Sequence, residues 1–305
     1  MSNNQMIRSS QQSSKYFPYS LFKRSRETSM YGDMFIQDLC MHFSIVLGKR
    51  NNYRQFYKVD EAGSALNTLL EYEDHMFLEY DFDKLLATNL NSLLKHGNAY
   101  VEVVRLFDEN NNLVGIKLVP FRNNIQISFG KSIYYLLRRC DGAIEKGIIN
   151  KEDVISFKVQ DIGYTRVELW RVFRKLRKFD LSFVELLMDN KSGFEFDDYS
   201  KKKDLELLKV GRRFRWIGRK YNNYYLNEPY LVYLRMEELK LKENILNKLL
   251  HKYNEKLSEI GRKYGFAGKI CYETRVANFD ELYKELLDGV KSCAQVSNEI
   301  YGGSY

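Results

Sequence analysis

The sequence has few of the residue types that carry enzyme chemistry, and those few are scattered. Its 305 residues contain four histidines and four cysteines, and no two of them have the spacing of a zinc site or a Cys-x-x-Cys motif. No GxSxG, HExxH or phosphate-binding glycine loop occurs. The residues therefore give no positive evidence for a catalytic centre, a metal site or a bound cofactor.

Long apolar runs and prolines are also scarce. No run approaches the roughly 20 apolar residues of a membrane-spanning helix, and the Ser- and Asn-rich start lacks the apolar stretch of a secretion signal. Isolated thiols suit a reducing compartment. We therefore predict a soluble, cytoplasmic protein without membrane contact. Only three prolines occur, so most of the chain is free to form regular structure.

The positive charge is concentrated in one stretch, residues 201–220. This stretch holds nine cations against Asp204 and Glu206, whereas the net charge of the whole chain is only +8. Aromatic residues lie between the cations. This mixture is typical of a nucleic-acid surface and equally of a protein interface where arginines meet acidic side chains, and both remain open. The predicted contact residues are Lys201, Lys202, Lys203, Arg212, Arg213, Arg215, Trp216, Arg219 and Lys220.

Hydrophobic periodicity predicts a mixed α+β domain over residues 31–160, after a flexible N-terminal arm of residues 1–30. Helices are predicted at residues 31–48, 61–79 and 81–97. Strands are predicted at residues 99–104, 113–119, 124–129, 132–138 and 153–159. Asp81 is the expected N-cap of the third helix, and Gly97 is its expected end.

A helix-hairpin unit over residues 93–121 has the clearest signals for where its helix and strands end. After Gly97, apolar and polar residues alternate as in a strand, and "DENNN" at 108–112 has turn chemistry. The return strand reaches Pro120, which has no N–H to donate to a sheet and so marks the strand end.

Two long helices are predicted in the remainder, at residues 163–190 and 231–264, with a compact subdomain between them. The second helix keeps a seven-residue apolar pattern that is interrupted only at Glu243. Such a pattern needs a partner helix, either in the same chain or in a neighbouring subunit. A strand at 265–273 and a helix at 279–300 complete the prediction.

Several of these segments, in this order, resemble the portal (head–tail connector or upper collar) proteins of tailed bacteriophages. In that family a helix that ends in a Gly-Asn-Ala-Tyr element leads into a β-hairpin, a further strand and a long stem helix. The matching segments are Leu93–Arg105, Leu113–Phe121, Glu152–Lys158 and the helix from Gly163. The predicted helix 31–48 corresponds to the family's first wing helix, and the resemblance covers roughly residues 31–190.

The resemblance implies a portal-like α+β fold with a mixed α/β wing, long stem helices and a small clip subdomain. The implied parts are a wing over 31–160, a stem helix over 161–190, a clip over 191–230, and a returning stem helix with a strand-helix region over 231–305. A second alignment stays open, in which residues 231–275 form the clip and residues 279–300 the returning stem.

The resemblance also implies a function. It is a ring of identical subunits, usually twelve, at one capsid vertex, through which double-stranded DNA passes in packaging and ejection. Implied partners are the terminase large subunit, the major capsid or scaffold protein, and the tail adaptor or lower collar protein. No enzymatic activity and no cofactor are implied, and the protein would be in the virion after assembly in the host bacterial cytoplasm. The alternative is a non-enzymatic nucleic-acid-binding accessory protein of replication or transcription that uses residues 201–225.

Overall fold

The computed structural model of this protein describes residues 5–7, 11–12, 29–40, 57–60, 78–120, 125–138, 144–188, 205–216, 228–272 and 278–301. The chain divides into two compact units, each assembled from separated parts of the sequence. Unit 1 comprises residues 1–26, 55–161 and 248–273, and unit 2 comprises residues 27–54, 162–247 and 274–305. All strands of the described chain belong to unit 1, whereas the described part of unit 2 is helical.

The strands are β1 (Gln5–Ile7), β2 (Gln11–Gln12), β3 (Tyr57–Asp60), β4 (Asn98–Phe107), β5 (Leu113–Pro120), β6 (Ile125–Phe129), β7 (Ser132–Arg138), β8 (Ile144–Asn150), β9 (Val154–Lys158) and β10 (Lys269–Tyr272). The helices are α1 (Met30–Cys40), α2 (Leu78–His96), α3 (Arg166–Met188), α4 (Glu228–Tyr264), α5 (Phe279–Leu287) and α6 (Cys293–Tyr301). Residues 205–211 are also helical. The chain is therefore a mixed α+β protein, as the periodicity predicts.

Strand β4 is the centre of the main sheet of unit 1. β5 pairs with it over residues 101–107, and the opposite edge is shared by β9 over residues 98–102 and by β1 over residues 105–107. All pairs are antiparallel. Four consecutive residues of β4, from Val101 to Val104, are buried, so both faces of this strand are covered.

The asparagine-rich turn between β4 and β5 is closed by Asp108, in agreement with the predicted turn. Its Oδ1 accepts hydrogen bonds from the backbone N–H groups of Asn112 (2.7 Å) and Asn110 (3.0 Å). Asn111 has a left-handed φ of 64°. The hydrogen bond from Asn112 is the main cause of a pKa of Asp108 below its ordinary value. β5 ends at Pro120, which confirms the predicted strand end.

Helix α2 buries the leucine face that the sequence predicts. Leu90 and Leu93 are fully buried, and burial of each such side chain contributes about 1.5–3 kcal/mol to folding. Gly97, with a φ of 78°, donates its N–H to the carbonyl of Leu93 at 2.8 Å and ends the helix. The helix begins at Leu78, so Asp81 lies inside it and the predicted N-cap is wrong.

Two smaller sheets complete the strands of unit 1. One has the order β2–β8–β7–β6, and the other pairs β3 with β10. Ile133, Ile149 and Val154 form one apolar cluster, which packs β7 and β8 against β9 of the main sheet. The sequence predicts β6, β7, β9 and β10 but not β3 or β8. In β8 a Glu-Lys-Gly stretch interrupts the apolar alternation.

Part of the N-terminal arm has a different structure from the one expected. β1 pairs with the end of β4, and β2 pairs with β8 at residues 147–148. The two short strands thus extend sheets of unit 1, and the prediction of a flexible arm is corrected for these residues. The exposed edge of a sheet offers unpaired N–H and C=O groups to any extended segment that reaches it, and this pairing leaves no local sequence signal.

In unit 2, helix α1 packs on helix α3. The rings of Phe35 and Phe173 lie 5.9 Å apart, and those of Tyr31 and Phe179 lie 6.0 Å apart. α1 therefore belongs with α3, whereas the sequence assigned it to the wing domain with the strands. The consecutive domain boundaries predicted from the sequence differ from the observed units, because these helices pack on elements that are distant along the chain.

Helix α4 has 37 residues, of which residues 228–247 belong to unit 2 and residues 248–264 to unit 1. The apolar residues of its predicted pattern are buried except for the half-buried Tyr264. In unit 2, Val232 and Met236 pack in one cluster with Phe279 of α5 and Val296 of α6. For this part of α4, partner helices therefore lie in the same chain.

The last predicted helix, residues 279–300, is two helices. α5 and α6 are separated by a turn in which Gly289 has a φ of 71°, a conformation that glycine adopts without strain.

Some predictions fall on parts of the chain that the structure does not describe. Outside the described residues lie 41–48 and 61–77 of the predicted helices. Most of the predicted clip also lies outside them, and only its residues 205–216 and 228–230 are described.

Candidate functional site

The basic stretch predicted from the sequence contains a tight turn at its described end. Residues 212–214 form a 3-10 helix, and Arg215 follows with a left-handed φ of 51°. The N–H of Trp216 then donates to the carbonyl of Gly211 at 3.1 Å. A Cβ on Gly211 would lie 2.2 Å from the backbone oxygen of Trp216, so this position requires glycine. We call residues Arg212 to Arg215 the basic turn.

An aromatic cluster in unit 2 supports the basic turn. The ring of Phe35 lies 5.2 Å from that of Phe214 and 5.4 Å from that of Trp216, both in edge contacts. Tyr164 stacks on Phe214 at 4.1 Å. Burial raises the pKa of Tyr164 to about 12, although the positive charges of Arg215 and Arg213 act in the opposite direction. These rings fix the backbone of the turn and so direct its arginines outward.

Trp216 is not an exposed contact residue, which corrects the prediction for this side chain. Its exposed fraction is 2%, and its indole N–H donates to Asp38. Phe214, another aromatic residue between the cations, is fully buried. Aromatic residues between cations are therefore part of a core here, because an aromatic ring gains more free energy from burial than from exposure to water.

The arginines of the basic turn differ in their surroundings. Arg213 forms an ion pair with Glu168 of α3, and Arg215 forms one with Glu237 of α4. Arg212 is exposed. Substitution of Arg213 or Arg215 would therefore change contacts within unit 2, whereas Arg212 is available to a partner. Among the other predicted residues, Lys201, Lys202, Lys203, Arg219 and Lys220 lie outside the described residues.

Helix α3 adds a second set of cations that the sequence prediction did not include in the site. Its buried stripe comprises Leu169, Val172, Leu176 and Phe179, and the remaining faces are mostly exposed. The exposed cations are Arg166, Arg171, Arg174, Lys175, Arg177 and Lys178. The same range contains one carboxylate, that of Glu168, which binds Arg213. The basic surface of unit 2 thus combines α3 with the basic turn.

The start of α3 carries a capping box that positions this carboxylate. The N–H of Thr165 donates to Oε2 of Glu168 at 2.8 Å, and the N–H of Glu168 donates to Oγ1 of Thr165 at 3.2 Å. These contacts, first the backbone N–H of Thr165 and further the charge of Arg213, lower the pKa of Glu168. The motif Thr-x-x-Glu before an apolar run was the sequence signal for this arrangement.

The described residues hold little else that resembles a site. Among them, no group of three His, Cys, Asp or Glu side chains could hold a metal ion, and no helix is long and apolar enough to span a membrane. His96, at the end of α2, has a lowered pKa because it is partly buried and next to Lys95. His251 is exposed and lies 3.4 Å from Glu255.

Comparison with known proteins gives only remote similarity. No protein-family model matches the chain, and no curated protein matches its sequence. One similar solved structure is a chain of the virion of a native gene transfer agent particle, with a TM-score of 0.46 and 11% identity over 86% of this chain and 85% of that chain. Another is a chain of the neck of an empty gene transfer agent particle, with a TM-score of 0.47 and 10% identity over 90% of each chain. At this level of similarity neither assigns a function.

Proposed function

We propose that this protein is a phage portal protein. Copies of the chain would form a ring, twelve in the family that the sequence resembles, at one capsid vertex, and the ring would be the conduit for double-stranded DNA in packaging and ejection. The observation that carries the proposal is the order of elements. α2 ends at Gly97, β4 and β5 form a hairpin that ends at Pro120, and β9 and the long helix α3 follow.

The mechanical properties of the chain support this role. At a rise of about 1.5 Å per residue, the part of α4 that lies in unit 2, residues 228–247, is about 30 Å long. Strand β4 is held by strands on both edges and by burial on both faces. A conduit needs stiff walls of this kind, and it needs no acid, base or metal ion. We therefore propose no enzymatic activity and no cofactor for this protein.

The exposed cations Lys175, Arg177 and Lys178 of α3, together with Arg212, support contact with a polyanion. DNA that must slide needs contacts with phosphates and none with bases, because base reading would hold it in one register. Binding should therefore be weak for each subunit and decrease steeply with salt. The predicted clip residues, Lys201, Lys202, Lys203, Arg212, Arg219 and Lys220, are proposed to contact the terminase large subunit or the tail adaptor.

The remaining parts of the proposal concern place and partners. The ring would assemble in the host bacterial cytoplasm, with the major capsid or scaffold protein around it, and would stay in the virion at one capsid vertex. The tail adaptor or lower collar protein would then join the opposite side from the capsid interior. These partners rest on the resemblance in sequence and on the element order that supports it.

Electron microscopy of the purified full-length chain tests the proposal. We expect annular particles with one central hole in negative stain, and a mass of many subunits by light scattering. A chain that stays monomeric or dimeric over a range of concentration, salt and temperature, including in the presence of scaffold protein, contradicts it.

A second candidate is a nucleic-acid-binding accessory protein of replication or transcription, favoured by the composite basic surface of unit 2. In that case a monomer should bind short duplex or single-stranded DNA tightly at physiological salt. Charge reversal at Arg212 distinguishes the two candidate functions. Arg212→Glu alone should weaken docking or DNA passage while rings persist if the portal proposal is right. The same change in a monomer that loses DNA binding supports the second candidate.

A further inference from the structure

Helix α3 exposes two large apolar side chains among its cations. Val167 is 54% exposed and Trp170 is 43% exposed. Arg171 is exposed as well, and the guanidinium carbon of Arg174 lies 4.5 Å from the centre of the Trp170 ring. Residues three, four and seven positions apart align along one side of a helix. We call these four residues the basic face.

A second exposed apolar pair lies on the turn between α5 and α6, also in unit 2. Leu287 is 64% exposed and Val290 is 68% exposed. The N–H of Val290 donates to the carbonyl of Glu285 at 2.9 Å. Nζ of Lys291 binds the carboxylates of Glu285 and Glu299, each at 2.8 Å. The turn is thus held by its own contacts with both apolar side chains outward. We call its four residues, 287–290, the acidic turn.

The charged side chains of the two surfaces have opposite sign. The acidic turn carries one carboxylate, that of Asp288, whereas the basic face carries the cations Arg171 and Arg174. Three further carboxylates near the turn, those of Asp280, Glu285 and Glu299, are paired with lysines. Asp288 is exposed in the acidic turn, and Lys284 lies one helical turn before it. Apolar side chains surrounded by charge of one sign fit apolar side chains surrounded by the opposite sign, because both the buried area and the charge then match.

We propose that the basic face of one copy of this chain binds the acidic turn of the next copy. Leu287 and Val290 would pack beside Val167 and Trp170, and Asp288 would face Arg171 and Arg174. The proposal rests on the proposed function, because it names the contact through which the ring closes. It also gives a reason for four exposed apolar side chains, which in a lone subunit would lie in water without benefit.

The contact joins two different surfaces, so it is head-to-tail. Such contacts repeat from copy to copy and give a closed ring or an open filament, according to the rotation between copies. A symmetric dimer cannot form from a single contact of this type. The proposed contact is therefore compatible with a ring and does not depend on the number of subunits.

Charge reversal of each surface, followed by mixing, tests the proposal. One variant carries Arg171→Glu and Arg174→Glu, and the other carries Asp288→Arg. Each places like charges together, so we expect each alone to raise the concentration for half-assembly by about tenfold or more in sedimentation. All altered side chains are exposed, and circular dichroism and the thermal midpoint should match the unaltered chain.

Mixing the two variants in equal amounts should restore assembly. The altered acidic turn, now positive, then meets the altered basic face, now negative, and the two unaltered surfaces meet each other. A chain with all three changes should assemble by itself for the same reason. The control variant Lys209→Glu with Arg212→Glu removes the same number of cations outside the basic face and should assemble like the unaltered chain.

The outcomes separate this proposal from the proposed function. Rings that both variants form like the unaltered chain overturn the contact and leave the portal function in place. A basic-face variant that assembles normally but loses DNA binding also overturns the contact, and it means that the basic face binds nucleic acid. Open filaments that depend on both surfaces support the contact and overturn the ring. A chain that never assembles overturns both, and failure of the mixture to recover overturns the pairing of these two surfaces.

Discussion

The indole N–H of Trp216 donates a hydrogen bond of 2.9 Å to Oδ2 of Asp38, a residue 178 positions earlier in the chain. Phe35, one turn before Asp38 on α1, contacts the same indole at 5.4 Å between ring centres. One aromatic side chain therefore joins the basic turn to α1. The position of Arg212 depends on this buried contact and not only on the local sequence.

Trp216→Phe should lower the free energy of unfolding of unit 2 by about 1–3 kcal/mol. The change removes a hydrogen bond to a carboxylate and part of a buried ring. Chemical denaturation followed by circular dichroism measures the shift in midpoint. The same change at Trp170, which is 43% exposed, is the matched control and should change the stability of the dilute chain little. Equal losses for both variants would mean that Trp216 does not anchor the turn.

Gly211→Ala should destabilise the chain by about 1–3 kcal/mol, because the new Cβ would lie 2.2 Å from the backbone oxygen of Trp216, which cannot move easily. The backbone of Gly211 has a φ of −76°, so no strain of a left-handed conformation is involved. Gly32→Ala is the control in the same unit. Its Cβ would meet side-chain atoms, Oγ of Ser29 at 3.2 Å and Cδ1 of Phe173 at 3.3 Å, which can shift more easily than backbone, so its thermal midpoint should fall less than that of Gly211→Ala. A neutral Gly211→Ala would contradict the observed close approach.

Asp153→Ala should cost about 1.5–3 kcal/mol in unit 1. Arg105 contacts Asp153 at 2.5 Å and the hydroxyl of Tyr264 at 2.9 Å, and its Nε is buried without a hydrogen-bond partner. The loss of the carboxylate would leave a mostly buried cation poorly compensated. The double variant Arg105→Met with Asp153→Leu should recover much of the loss, because both charges are then absent.

The control for this pair is the ion pair of Lys252 with Asp161, at 3.7 Å, whose side chains are 35% and 27% exposed. Lys252→Ala should cost less than about 1 kcal/mol. A denaturant midpoint of Asp153→Ala that moves no more than that of Lys252→Ala would show that the Arg105 pair contributes little to stability.

Glu243→Gln should stabilise the chain at neutral pH and have no effect in acid. Burial raises the pKa of Glu243 above the ordinary glutamate value of 4.5. Below pH 4.5 the Glu243 carboxyl is protonated in both the folded and the unfolded chain, so burial of this group carries no cost of burying a charge. As the pH rises above 4.5, Glu243 ionises first in the unfolded chain. The free energy of unfolding therefore falls until Glu243 ionises in the folded chain as well. Thermal midpoints from pH 4 to pH 8 measure this, with the exposed Glu206→Gln as control. A gain that is constant with pH would exclude ionisation as its cause.

The helix-hairpin unit was predictable because its signals are local. Gly97, the Asp108 turn and Pro120 each act through the conformation or the hydrogen bonds of residues within a few positions. The seven-residue pattern of α4 was predictable for a related reason, since a helix brings every third or fourth residue to one side. The pattern alone does not identify its partner helices, which are α5 and α6 for the part of α4 that lies in unit 2.

The candidate site was predictable only in part. The basic stretch predicts Arg212, Arg213 and Arg215 as contact residues, and this remains a prediction. It also predicts Trp216 as a contact, and this side chain is buried. The cations of α3 were not included because carboxylates later in that helix dilute its net charge. Exposure depends on which face of α3 packs against α1, and net charge along the sequence does not contain that information.

The amino-acid order by itself determined the long helices, the strands with clear apolar alternation and the hairpin turn, because each is fixed by hydrogen bonds and periodicity over a few residues. The tertiary structure decided how those elements group into two units, which aromatic rings are buried, and which cations remain at the surface. Burial is the reason for this division: whether a side chain leaves water depends on surfaces brought from distant parts of the chain, such as the contact of Asp38 with Trp216.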